Sequence, residues 1–167
     1  MNNEKEARKK ESWMLKENKQ KWNELLPTQV NNEFTGFKFT LYIFYIITGM
    51  TIIRSMIHIL FPDGGAGTIA SINVSVEGGQ IIISIFAFWG LSQLLFGMFY
   101  LIVCFRYKNL IPLMYLFILV EYSFRIVIGL IKPIETMTIA PGAIGNLILV
   151  PLSLLMLIFS LRIQKNK

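Results

Sequence analysis

Residues 111–132, IPLMYLFILVEYSFRIVIGLIK, are apolar enough and long enough to cross a bilayer, yet they enclose Glu121 and Arg125. An ionisable side chain inside a span is costly, so it turns toward a bundle interior or a water-filled cavity. The rest of the chain must supply that interior. Three more runs, 37–60, 80–105 and 143–162, reach the length of about 20 residues that a spanning helix needs. With 54% apolar residues, the chain reads as an all-α membrane protein: four transmembrane helices in an antiparallel bundle, preceded by an N-terminal amphipathic cytoplasmic helix. Residues 1–35 form the cytoplasmic arm and 36–167 the transmembrane domain.

The net charge of +6 does not indicate nucleic acid, because of where it lies. Eight of the sixteen Lys and Arg residues precede position 40, and three more fall in the last six positions. The segments up to Lys38, 106–110 and 162–167 hold thirteen basic residues. The loop 61–79 and the loop after Pro133 hold none, with Lys132 at a helix end. The positive-inside rule therefore puts both termini in the cytoplasm. Usage rich in Lys, Ile and Asn suggests a low-GC bacterium, hence the bacterial cytoplasmic membrane. The N-terminus has no early apolar h-region, so the first span is expected to be retained. The single cysteine, Cys104, rules out an intramolecular disulfide and reads as a buried structural thiol.

In chain order, 4–26 is rich in helix formers and stops at Pro27. Its Met14, Leu15, Trp22, Leu25 and Leu26 gather on one side at 3.6-residue periodicity, with Trp13 outside the group. Tryptophans and lysines arranged this way suit an interfacial helix on anionic lipid, or else a solvated tail. Thr28–Thr35 is a linker. Phe37, Phe39, Tyr42 and Tyr45 form an aromatic belt at the first span's entry. The loop 61–79 contains TIASINVSV, which reads as a short strand or a packed re-entrant segment, and PDGGAG (62–67), a candidate anion-binding nest or a plain turn. Gly90 and Gly97 thin the second span for a neighbour, Pro112 suits a first helical turn, and Pro151 predicts a kink.

An arginine stands eight positions before a proline in both RSMIHILFP (54–62) and RIVIGLIKP (125–133). The halves 37–105 and 110–162 therefore read as a parallel repeat of two helical hairpins, with Arg54 and Arg125 at matching depth. Glu121, one turn from Arg125, is placed to pair with it or to bridge to Arg54. His58, Gln93, Tyr122 and Asn146 are the polar side chains available to complete a network, although Tyr122 is expected to diverge from Glu121 by about 100°. Two arginines against one glutamate leave one positive charge in excess. Either the cluster is polar glue that sets the helix arrangement, or it lines a pocket for an anionic group. No cofactor is implied. No Cys/His/acid spacing suggests a metal, and the nucleotide-binding and hydrolase motifs are absent.

Size, topology and an arginine-bearing first helix across 37–162 resemble small four-helix bacterial inner-membrane proteins such as the DoxX-like group. The resemblance carries over no functional residue. The function read from the residues is binding or transport of a small anionic or amphiphilic, lipid-like ligand around Arg54, His58, Gln93, Glu121 and Arg125. The partners are membrane lipid and that ligand. Two alternatives stand beside it: an accessory or scaffolding subunit, with a membrane-protein partner or a second copy; and a small membrane enzyme acting on lipid or quinone, with Glu121 or His58 as acid or base.

Overall fold

A computed structural model describes residues 2–162, so of the basic tail RIQKNK only Arg162 is included. The described chain is helical, with no strand: α1 (Asn2–Leu25), α2 (Lys38–Leu60), α3 (Gly79–Arg106), a 3-10 turn at Lys108–Leu110, α4 (Ile111–Ile131) and α5 (Pro141–Ser160). Four of these helices, α2 to α5, are long and apolar enough to cross a membrane. The shortest has 20 residues, which at about 1.5 Å per residue matches a hydrocarbon core.

Local chemistry sets the helix ends. Pro112 and Pro141 each occupy a first turn, where a missing N–H costs least. Gly78, at φ 83°, takes the left-handed conformation that precedes α3. Pro62 follows the end of α2. α5 continues through Pro151.

The helices pack chiefly as α2 along α3 and α4 along α5. Gly90 and Gly97 make the first pairing close. A Cβ on Gly90 would stand 2.6 Å from the His58 Cβ, and one on Gly97 would stand 2.8 Å from Ile52 Cγ1. The core gathers Phe44, Tyr100, Ile111, Tyr115 and Ile118. Small hydroxyls on the buried stripe of α2 stay satisfied on their own helix: Thr48 donates to Phe44 O (2.8 Å), Thr51 to Ile47 O (2.9 Å) and Ser55 to Thr51 O (2.6 Å). Cys104 is buried, with its Sγ 3.5 Å from the Thr48 hydroxyl. The outer faces carry exposed Phe88, Phe105 and Leu130, an apolar perimeter suited to lipid contact.

The loops differ from the sequence reading. TIASINVSV contains no strand: successive turns run to Ala70 and irregular backbone follows, with Ile72 buried. The turns are drawn together by Asp63, whose carboxylate accepts from the backbone N–H of Gly65 (2.8 Å), Gly67 (3.1 Å) and Thr68 (2.7 Å). PDGGAG is therefore no vacant nest, because the chain's own carboxylate occupies those donors. The Thr68 N–H above all holds the Asp63 carboxyl below its ordinary range. This loop is stitched to the other one: Met137 N–H donates to Ser71 O (2.7 Å), and the Ser71 and Thr138 hydroxyls lie 2.6 Å apart.

At the opposite end the linker is tied down by Asn109. Its amide donates to Gln29 O (2.8 Å) and its Oδ1 accepts from Asn31 N–H (3.1 Å). α1 leaves most of its apolar residues uncovered, with Trp13, Leu15 and Trp22 all more than 60% exposed.

Candidate functional site

Arg54 on α2 and Arg125 on α4 each stand six residues before the end of their helix. They meet at one indole. The Trp89 ring centroid lies 5.7 Å from Arg54 Cζ and 4.8 Å from Arg125 Cζ. Cation–π attraction of this kind strengthens where water is scarce.

The carboxylate is shared unequally. Glu121 Oε1 accepts from both Nε (3.1 Å) and Nη2 of Arg125, the i, i+4 pair expected on α4. Arg54 makes no ion pair with Glu121, correcting the direct bridge that the sequence allowed. Gln93 stands between them: its Oε1 accepts from Arg54 Nη2 (2.9 Å) and its Nε2 donates to Glu121 Oε1 (2.9 Å). An amide can join a cation to an anion in this way because it carries both a donor and an acceptor.

Tyr122 also joins the cluster, contrary to its expected divergence. The interhelical geometry turns its buried hydroxyl toward Arg54 Nη1, at 3.3 Å. Arg54 Nε remains buried with no hydrogen-bond partner.

Beside this cluster lies a cavity of about 350 Å³. Arg54 and Arg125 line it together with His58, Trp89, Tyr122 and Asn146, while Ile47, Met50 and Leu149 form apolar wall. Ile69 and Ala70 of the first loop, and Ala140 and Pro141 at the start of α5, close its loop side. Gln93 and Glu121 are not among the lining residues. They bond to the arginines from outside that lining, so the cavity meets two cations and no carboxylate.

His58 lines the cavity, but its Nδ1 donates to the Gly64 carbonyl at 2.7 Å. That bond puts a proton on Nδ1 and makes the residue a tie between α2 and the first loop. The five residues expected at the site thus divide. Arg54 and Arg125 face the cavity as charge, His58 faces it as a wall, and Gln93 and Glu121 orient the arginines. Among the described residues, no group of His, Cys, Asp and Glu side chains is arranged to hold a metal.

Trp89 escaped the sequence reading. Its signal was present: it precedes Gln93 by one helical turn and so shares its face. Comparison with known proteins adds no relative, since no family model, curated protein or solved structure matches this chain.

Proposed function

We propose that this protein binds or moves a small anionic or amphiphilic ligand in an intramembrane cavity among α2, α3, α4 and α5. One observation carries the reading: both guanidinium groups line the cavity, while the only carboxylate of the cluster is not part of that lining. A site for pure helix adhesion would balance its charges, whereas the chain Arg54–Gln93–Glu121–Arg125 carries two cations against one anion. Here the excess positive charge is turned toward open space in a low-dielectric setting, where it attracts an anion strongly.

In this reading α2 with α3 and α4 with α5 are two like hairpins of one bundle, set in the bacterial cytoplasmic membrane with both termini in the cytoplasm. α1 lies on the inner leaflet. Gly142 and Gly145 face open space, with nothing within 4 Å of a Cβ on either. Gly145→Leu therefore fills the cavity without removing a charge. The test is native mass spectrometry of protein extracted from its membrane. Wild type is expected to carry a bound anionic species that both Gly145→Leu and Arg125→Gln lose. Retention of that species by both variants overturns the reading.

An accessory role has one observation in its favour, the uncovered apolar residues of α1, which suit a lipid surface or a partner. The described lining includes His58 and Tyr122 but not Glu121 as a candidate acid or base, so a membrane enzyme is the weaker alternative.

A further inference from the structure

We infer that the ligand is a single-chain amphiphile bearing one negative charge, of the fatty-carboxylate class. The inference rests on the ligand-binding reading above and narrows it by charge, shape, size and route of entry.

Charge comes first. Arg54 and Arg125 contribute two positive charges and Glu121 one negative, and His58 is counted neutral because it shares the cavity wall with two guanidinium groups, which disfavour a third positive charge. One monoanion balances the cluster. A phosphomonoester, at close to two negative charges, would leave the surplus negative in a medium that penalises uncompensated charge. The donors suit a planar carboxylate. Arg54 gives one bond from Nη1 to Tyr122 and one from Nη2 to Gln93, and Arg125 uses Nε and Nη2 on Glu121, so each guanidinium keeps terminal N–H groups for a ligand. Bidentate or paired N–H···O contacts are the usual guanidinium answer to a carboxylate.

Shape comes second. On α2 the ionisable lining, Arg54 and His58, lies toward one end. From Arg54, the α2 wall continues through Thr51 and Met50 to Ile47, about 10 Å of helix, and the Thr51 hydroxyl is already donated to Ile47 O. A headgroup among the arginines would leave a chain lying along Met50, Ile47 and Leu149. The volume of about 350 Å³ is near the lower bound for ligand pockets. It has room for one chain beside the arginines.

Entry comes third. The interlocked loops cover the cavity where Ile69 and Pro141 line it. Met50, also part of the lining, is 61% exposed. The cavity thus opens sideways onto the apolar perimeter, the face from which a bilayer-dissolved amphiphile would arrive.

Trp89 lines the cavity and touches both guanidinium groups, so it is a built-in reporter. The experiment uses the full chain carrying Trp13→Phe and Trp22→Phe, two exposed positions, in an uncharged detergent. α-Bromopalmitate, with its heavy atom beside the carboxylate, is titrated in and Trp89 fluorescence followed. Saturable quenching is expected. Palmitate should displace the probe at least about tenfold more effectively than palmityl alcohol or hexadecyl phosphate, since a hydrogen-bonded charge is worth that much. Arg125→Gln should weaken binding and Gly145→Leu should abolish it; the second variant keeps the test valid if the first does not fold. Displacement by palmityl alcohol as effective as by palmitate overturns the monoanion inference. Stronger displacement by hexadecyl phosphate overturns the carboxylate class and leaves an anion site. Quenching that never saturates, unchanged in Gly145→Leu, removes the ligand-binding reading itself.

Discussion

Glu121→Gln tests the cluster most directly, because it removes one charge while keeping side-chain length and an acceptor for Gln93. Removing one partner from a buried ion pair costs about 3–5 kcal/mol, since the other is left uncompensated. The Glu121 side chain is 31% exposed and that of Arg125 21%, so partial solvation would move the figure toward the value of about 1 kcal/mol for surface pairs. In a span that exposure faces hydrocarbon more than water, which limits the relief. A loss of about 2–4 kcal/mol follows. The assay is reversible unfolding in mixed micelles, followed by tryptophan fluorescence. The contacts also rank two rescues. Arg125 bonds Glu121 directly, whereas Arg54 reaches it only through Gln93. Glu121→Gln combined with Arg125→Gln should recover most of the loss, and the combination with Arg54→Gln clearly less. Equal rescue by the two arginine changes, or a single-variant loss below about 0.5 kcal/mol, would refute the reasoning.

Gly90→Ala should destabilise by about 1–3 kcal/mol through overpacking, because its Cβ would meet the His58 Cβ at 2.6 Å. Gly129→Ala, where a Cβ meets nothing within 4 Å, should change stability by less than about 1 kcal/mol, and thermal melts of the two variants give the comparison. Asn109→Ala removes two ties between the 3-10 turn and the linker, at about 1 kcal/mol each; proteolytic cleavage within 28–35 should accelerate several-fold, and an unchanged rate would deny Asn109 that role. The Asp63 carboxyl is held low chiefly by the Thr68 N–H, so its stabilisation of the loop is present at neutral pH and is lost as pH falls through that depressed value. The Thr68 amide resonance should accordingly titrate with a midpoint below the ordinary aspartate range, and Asp63→Ala should abolish that titration.

Much of this molecule is legible in its amino-acid sequence. Uninterrupted apolar length leaves the backbone no bonding option in lipid but a helix, so the apolar runs lie within a residue or two of α2 to α5. Gly90 and Gly97 are readable as points of close approach because a missing side chain has one obvious use between helices. The charge imbalance is countable, and the Glu121–Arg125 pair follows from helical spacing alone.

What the sequence leaves open involves contacts across different elements. Nothing along the chain says that Gln93 will stand between Arg54 and Glu121, or that Tyr122 will turn toward α2, because helix rotation is decided by packing. The role of Asp63 is hidden for another reason: glycines allow many backbone paths, and only the folded loop shows their N–H groups converging on that carboxylate. Sequence by itself determined four apolar helices and an excess of one positive charge, since both follow from local composition and the cost of burying polar groups. Only the tertiary structure decided that both arginines line a cavity and the carboxylate does not, because direction is a property of how helices meet.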